Sequence, residues 1–201
     1  LEGLPDRFQA EVFLYFSQEI FAHLSEQDAR ILLCSSVFQE VSPQFLDTLL
    51  NMTDSEKILQ ELASCNLFVH AVYDADRGWL YSYHQLFREF LQSMWQERFS
   101  AVERKQFFLL AAKACARKNY LKSAVDFFLQ AEEPFWAASV LAVLGREMMQ
   151  AGRNRDLAQM LHRFPVGVIQ AKPWLLLFRA YCRRYSHAAE NIADLQKAEG
   201  L

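Results

Sequence analysis

Apolar residues recur at helical spacing along most of the chain, and this spacing gives way to a strand pattern in one short stretch. Two runs rich in β-branched and aromatic residues, 67–72 and 79–83, flank a segment of turn-forming residues at 73–78. Two such runs around a turn predict a β-hairpin. A single hairpin among amphipathic helices predicts a mainly α protein with a small β element.

Four helical patterns precede the hairpin, and a fifth follows it over 84–99. Three helices followed by a two-stranded wing form the winged-helix arrangement, here with one extra helix before it and one after. We therefore assign residues 1–99 to a winged-helix-like domain. The predicted N-caps of the first four helices are Asp6 for a helix over 6–24, Ser25, Ser42 followed by Pro43, and either Asp54 or Ser55.

The remaining residues, 100–201, are predicted to be helical throughout. A capping box, Ser100 with Glu103, opens this region. Small and aromatic residues alternate within it, which resembles the pattern of tetratricopeptide repeats. We predict a tetratricopeptide-like (TPR-like) segment of a larger superhelix, with helix pairs that begin near 101, 134 and 173. The predicted helices are 101–118, 120–131, 134–151, 154–163, 173–184 and 186–199.

Composition and targeting signals exclude several classes of protein. With 6 Gly and 5 Pro in 201 residues, the chain has too few turn formers for an all-β sandwich or barrel. No uninterrupted apolar run is long enough for a transmembrane helix, and no secretory signal opens the chain. We expect a cytoplasmic location without membrane contact. We also take the chain to be a segment of a longer protein.

The four cysteines are Cys34, Cys65, Cys115 and Cys182, and they lie far apart in the sequence. No C-x-x-C pair is present, which argues against a zinc site or a redox motif. We expect free buried thiols in a reducing compartment.

Charge divides the chain near residue 100. Residues 1–100 hold 6 Lys and Arg against 15 Asp and Glu, a net charge of −9. Residues 101–201 hold 15 against 9, a net charge of +6. The simpler interpretation is two domains with different surfaces that attract one another; the alternative is an acidic switch domain beside a basic scaffold with its own partner.

Motifs for catalysis are absent from the sequence. It contains no G-x-x-x-x-G-K-[ST] phosphate loop, no G-x-G-x-x-G, no G-x-S-x-G and no H-E-x-x-H. We therefore assign no catalytic residue and no metal ligand, and we expect the segment not to be an enzyme. Direct DNA binding is also disfavoured, because the candidate recognition helix at 55–66 offers Lys57 against Glu56 and Glu61.

His84 is the candidate site residue, at the junction of the second strand and the following helix. Two interpretations are open. It is either a capping or core histidine, or a contact to a phosphate at the positive end of the helix.

Three sequence blocks carry a resemblance to a known family. They are residues 31–37 (ILLCSSV), 58–68 (ILQELASCNLF) and, above all, 79–91 (WLYSYHQLFREFL). Residues 10–99 resemble the winged-helix domain of MalT-type transcription factors. These bacterial regulators are signal-transducing ATPases with numerous domains (STAND proteins) and end in a LuxR-type DNA-binding domain. Residues 124–131 and 173–180 resemble the start of the superhelical region of the same family.

The resemblance implies a function for the chain. It would be the non-catalytic middle segment of an ATP-dependent regulator, between a nucleotide-binding domain upstream and a DNA-binding domain downstream. ATP and ADP would bind the parent protein, an inducer (a small molecule or a regulatory protein) would bind the helical region, and activation would involve self-association. His84 matches the histidine of a Met-His-Asp motif that senses nucleotide in related ATPases, whereas Tyr83 and Gln85 replace the other two residues.

Two alternatives from other classes are open. The chain could be a helical-repeat module for protein–protein interaction, with the wing as a structural cap. It could also be a stand-alone winged-helix DNA-binding protein, which would require a steeply salt-dependent affinity for duplex DNA.

Overall fold

A computed structural model describes residues 4–64, 68–183 and 198 of the protein. The chain divides into two units, Leu1–Ser100 and Ala101–Leu201. The described part is mainly helical with one antiparallel hairpin, which is the fold class predicted from the sequence.

The described residues of the first unit, 4–64 and 68–100, form five α-helices and two strands. The helices are α1 (Leu4–Tyr15), α2 (Glu26–Ser35), α3 (Pro43–Leu50), α4 (Ser55–Ser64) and α5 (Gln85–Arg98), and the strands are β1 (Val69–Asp74) and β2 (Gly78–Tyr83). Helices α2, α3 and α4 followed by the hairpin form the winged helix, with α1 before it and α5 after it. The strands pair from Val69 with Tyr83 to Asp74 with Gly78.

The predicted first helix, 6–24, is correct in extent and wrong in geometry. Helix α1 begins at Leu4, so Asp6 lies inside the helix and is not its N-cap. A π-helical turn over Phe16–Ile20 and a 3₁₀ turn over Phe21–His23 continue the helix. The wider π turn brings residues i and i+5 closer to one face. Phe16 and Phe21 consequently both contact the ring of Phe90 on α5, at centroid distances of 5.5 and 5.9 Å.

Two of the predicted helix caps are confirmed. The Asp28 amide donates to Ser25 Oγ at 3.1 Å, and the Phe45 amide donates to Ser42 Oγ at 3.3 Å. The cap predicted for α4 is wrong. The Ser55 amide donates to the carboxylate of Asp47, which lies on α3, at 3.2 Å. The preceding Asp54 adopts a left-handed backbone conformation, with φ of 78°.

The second unit is helical throughout its described part, and its helices are α6 (Ala101–Arg117), α7 (Leu121–Gln130), α8 (Pro134–Gln150), α9 (Asn154–His162), α10 (Val166–Gln170) and α11 (Pro173–Arg183). The starts predicted near 101, 134 and 173 are observed. The short helix α10 was not predicted, because five residues are too few to show a periodicity. The helix predicted at 186–199 lies outside the described residues, except for residue 198.

Small residues let the helices of the second unit pack closely. Helix α7 packs against both α6 and α8. Six alanines in and between these three helices are fully buried: Ala111, Ala112, Ala124, Ala131, Ala137 and Ala138. Close approach is most pronounced at Gly145 on α8, where an added Cβ would lie 2.4 Å from the ring of Phe178 on α11.

The prediction of free buried thiols is confirmed for Cys34 and Cys115, which are unpaired and buried. Cys182 is also unpaired but only half-buried, so the prediction was wrong about its burial. Cys65 lies outside the described residues. Within the described part of the chain, no helix is both long and apolar enough to cross a membrane.

Candidate functional site

His84 lies where β2 ends and α5 begins, and backbone hydrogen bonds hold it there. Its amide donates to the carbonyl oxygen of Phe68 at 2.8 Å, which extends the hairpin pairing by one residue beyond Tyr83. Its carbonyl oxygen accepts from the amide of Arg88 at 2.9 Å and so begins α5. The residue occupies the N-cap position of a helix of 14 residues.

The side chain of His84 is exposed and does not cap the helix with a hydrogen bond. Its ring lies edge-on to the ring of Phe68, at a centroid distance of 6.2 Å. His84 is therefore not a core residue; it caps α5 by its position and its backbone carbonyl oxygen, not by its side chain. The amides of the first helical turn have no partner within an α-helix, so this end of α5 carries partial positive charge beside an accessible imidazole.

A cluster of phenylalanine side chains packs at the junction between β2 and α5. Phe16, from the π turn, contacts Phe68 at 4.9 Å and Phe87 at 5.1 Å between ring centroids. Phe16 and Phe87 are almost completely buried. Aromatic pairs at these distances stabilise a fold beyond the area that they bury. The cluster therefore fixes the start of α5 relative to the hairpin.

Tyr83, immediately before His84, points into the core. Its hydroxyl lies 2.5 Å from Ser35 Oγ on α2, and both residues are buried. Burial raises the pKa of the Tyr83 hydroxyl far above its usual value. Adjacent residues of a strand face opposite sides, so a buried Tyr83 turns His84 outward.

Gln85, immediately after His84, is engaged within its own helix. Its amide nitrogen donates to a carboxylate oxygen of Glu89 at 3.0 Å, and the other oxygen of Glu89 accepts from Gln9 on α1 at 3.2 Å. Two side-chain amides thus occupy both carboxylate oxygens of Glu89. Gln85 therefore has a structural role here, one that an aspartate at the same position could not fill as a donor.

Arg88 was not recognised from the sequence. Its guanidinium donates to the carbonyl oxygen of Ser36 at 3.2 Å and to that of Phe38. Gln92, one turn further along α5, donates to the same Ser36 oxygen at 3.1 Å. Helix α5 thereby fastens the segment between α2 and α3. The sequence did offer a signal, because Arg88 is a charged residue within the largely apolar run LFREFL. The run does not show which carbonyl groups the side chain reaches.

The same segment is joined to the hairpin. Val41 and Tyr81 exchange two backbone hydrogen bonds, at 3.0 and 2.9 Å, on the side of β2 that faces away from β1. The start of α5, the segment between α2 and α3, and the wing are consequently connected by direct hydrogen bonds. A displacement at His84 would have to be accommodated by all three.

Helix α4, at the position of a recognition helix, has an acidic exposed surface. Glu56, Lys57 and Glu61 are all exposed. Two carboxylates and one ammonium group give this helix no attraction for a phosphate backbone.

The described residues contain no group of three or more His, Cys, Asp or Glu side chains that could hold a metal ion. His84 and the start of α5 fit an anionic group instead, because an imidazole can donate a hydrogen bond and the helix end carries partial positive charge.

Comparison with known proteins gives a match for part of the chain. Residues 17–112 match the family model described as the MalT winged helix domain. The match begins within the π turn, spans the hairpin and α5, and ends in α6. No curated protein shows a significant match to the chain. Residues 17–112 therefore form a MalT-like winged-helix region.

Proposed function

We propose that this chain, with its MalT-like winged-helix region, is the non-catalytic middle segment of an ATP-dependent regulator of the LuxR/MalT type. In this role it couples nucleotide state and inducer sensing to a distant DNA-binding domain. The observation that carries the proposal is the match over residues 17–112, which includes the hairpin and the His84 junction. A MalT winged helix is a regulatory domain, and the chain has no phosphate loop of its own.

His84 is the residue we propose for nucleotide sensing. It is exposed at the start of α5, where an imidazole N–H can donate to a phosphate oxygen of ADP held by an upstream nucleotide-binding domain. Such a contact favours the resting arrangement of the domains. ATP in place of ADP, together with an inducer on the helical region, would shift the population toward an active, self-associating form.

The bonded framework around His84 supports this coupling. The junction connects directly to the wing and to the segment between α2 and α3 through Phe68, Arg88 and Val41. A contact made at His84 is therefore coupled to the position of the wing.

We place the protein in the cytoplasm, where both ATP and DNA are accessible.

His84→Ala in the parent protein tests the sensing role. We expect release of a fluorescent ADP analogue to accelerate about tenfold or more, which corresponds to loss of one hydrogen bond to a charged group. His162→Ala is the matched control, because His162 is exposed on α9 in the second unit and should leave the release rate unchanged. Equal release rates for the His84 variant and the wild type would refute the sensing role.

The flanking sequences of the parent protein test the wider proposal. A phosphate loop upstream and a helix-turn-helix downstream would place this chain in the middle of such a regulator. Flanks without a phosphate loop would leave His84 without a nucleotide to sense.

One observation favours a second candidate, a helical module for protein–protein interaction. Phe135 and Trp136 at the start of α8 are both exposed, so two large aromatic side chains lie next to one another in the sequence at the surface of the second unit. Stable capture of a protein partner by the chain without nucleotide, lost in Trp136→Ala, would support this candidate.

A further inference from the structure

Among the residues that the structure describes, no strand pairs with the outer edge of β1, which we call the open edge. In the described part of the chain the sheet has two strands, and the Val41–Tyr81 bridge lies beside β2. Tyr81 directs both its N–H and its C=O toward Val41, away from its β1 partner Ala71. Antiparallel pairs alternate between bonded and non-bonded positions, so Ala71 also directs its N–H and C=O away from β2. Tyr73, two residues along, does the same.

This edge lacks the features that usually protect a free strand. Natural edge strands carry charged side chains, proline or bulges that discourage pairing with another chain. Residues 70–73 are His70, Ala71, Val72 and Tyr73, all four of which are exposed. None of them is an aspartate, glutamate, lysine or proline. Four consecutive exposed residues along an open edge leave room for another strand.

Apolar side chains flank the edge on both faces of the hairpin. Tyr73 and Trp79 lie directly opposite one another, with a centroid distance of 5.5 Å in an edge-to-face arrangement, and they are 64% and 45% exposed. Val72, on the opposite face, is 60% exposed. A strand added beside β1 would cover apolar surface on either face, in keeping with the alternation of its own side chains.

Acidic side chains cluster at the turn, at one end of this surface. Asp74 and Asp76 are at the turn, and Glu40 is beside it. Arg77 is the cation of the turn, and it already pairs with Glu40 at 3.6 Å and with Asp74 at 3.8 Å. Backbone amides of Arg77 and Asp76 donate to Asp74 and lower the pKa of its carboxyl group, which keeps it ionised. Three carboxylates against one guanidinium leave the tip of the wing negative.

We propose that the open edge of β1 binds an extended, basic segment of a partner protein, which adds to the hairpin as a third strand beside residues 70–73. Main-chain hydrogen bonds to Ala71 and Tyr73 supply the pairing. Apolar side chains of the segment cover Val72 on one face and the Tyr73–Trp79 pair on the other. Lysine or arginine side chains of the segment meet Asp74 and Asp76. The inference is independent of the nucleotide-sensing role of His84.

The first test uses a defined probe, a short fluorescent peptide of alternating valine and lysine with blocked ends. We expect it to bind the intact chain, with an affinity that falls as salt is added. An analogue of alternating valine and glutamate should not bind. An analogue with N-methyl groups along one edge should bind at least about fivefold more weakly, the effect of losing one main-chain hydrogen bond or more.

Two pairs of variants locate the site. Ala71→Pro removes the outward N–H, which the hairpin does not use, and proline is tolerated at such edge positions. It should weaken binding of the valine–lysine peptide at least about fivefold relative to Ala71→Ser, which keeps the N–H. Asp76→Asn should weaken binding, whereas Glu97→Gln, an exposed acid at the far end of α5, should not. If Ala71→Pro unfolds the hairpin, the N-methylated peptide on the wild-type chain decides the question.

Several outcomes would overturn the proposal. They are failure of the valine–lysine peptide to bind, equal binding of its acidic or N-methylated analogue, and equal binding to the Ala71→Pro and Ala71→Ser variants. Preferential binding of duplex DNA would assign the wing to a different class of partner. A dimer of the chain that dissociates on Tyr73→Thr substitution would assign the edge to a second copy.

Discussion

The hydroxyl group of Tyr83 donates a hydrogen bond to that of Ser35, and this bond joins the hairpin to helix α2 in the core of the winged helix. The direction follows from the partners of Ser35. Its hydroxyl donates to the carbonyl oxygen of Leu32 at 3.1 Å, so it accepts from Tyr83, whose oxygen lies 2.5 Å away. Both side chains are buried.

This direction makes the two single substitutions unequal. Tyr83→Phe removes the donor and should lower the free energy of unfolding by about 1 kcal/mol. Ser35→Ala leaves the buried Tyr83 hydroxyl without its acceptor and should cost more, about 2 kcal/mol. Urea denaturation of both variants measures the difference. A smaller cost for Ser35→Ala than for Tyr83→Phe would show that the bond runs the other way.

Alkaline pH should weaken the fold through the same tyrosine. Burial raises the pKa of Tyr83 in the folded state above the usual 10.0, so the unfolded chain loses this proton first. The contribution of Tyr83 to stability is complete below pH 10 and declines as pH rises toward the folded pKa. Denaturation midpoints measured from pH 8 to 11 should fall, and less steeply for Tyr83→Phe. A Tyr73→Phe variant, at a side chain that is 64% exposed, controls for the loss of one tyrosine hydroxyl group.

Gly145 should tolerate no side chain. An alanine there would place its Cβ 2.4 Å from the ring of Phe178, a clash that outweighs the gain of up to about 1 kcal/mol in helix propensity. We expect Gly145→Ala to destabilise the second unit by about 1–3 kcal/mol, the usual cost of overpacking. Gly167→Ala is the matched control. Gly167 also lies in a helix, its Cβ would meet nothing within 4 Å, and the substitution should be neutral or stabilising by thermal denaturation.

The cysteines should differ in reactivity. Burial raises the pKa of both the Cys34 and the Cys115 thiol to about 12, so almost no thiolate exists at these positions near neutral pH. Burial also raises the pKa of the Cys182 thiol, but Cys182 is only half-buried and so more accessible to a reagent. Labelling of the native protein with a thiol reagent, followed by peptide mapping, should modify Cys182 well before Cys34 or Cys115. Equal labelling rates for Cys34 and Cys182 would contradict this prediction. They would show that the first unit opens often enough to expose Cys34 to the reagent.

The sequence was sufficient for the parts of the fold that depend on local signals. Ser25 and Ser42 cap helices because a hydroxyl followed by a helical pattern is a local feature. The hairpin was predicted from its residue types, although β1 continues to Asp74 and β2 begins at Gly78. That shift reflects Asp74, whose carboxylate accepts from two amides of the turn and so allows pairing up to the tip.

Features that depend on distant residues were missed. The cap of α4 comes from Asp47 on another helix, and Arg88 reaches carbonyl groups some fifty residues away in sequence. The π turn at Phe16–Ile20 brings Phe16 and Phe21 against Phe90, a distant contact that no local pattern encodes. His84 was identified as a candidate site from its place after the strand, but its exposure required the structure.

Because of the Val41–Tyr81 bridge, backbone amides on the two outer edges of the wing should exchange with solvent at different rates. The amide of Tyr81 is hydrogen-bonded to Val41 inside the unit, so its proton should exchange with solvent only when the segment between α2 and α3 opens. The outward amides of Ala71 and Tyr73 need no such opening. Deuterium should therefore exchange first at the outward amides of β1 and last at the amide of Tyr81 in β2. The outer edge of β1 can open locally while β2 stays hydrogen-bonded to the segment between α2 and α3.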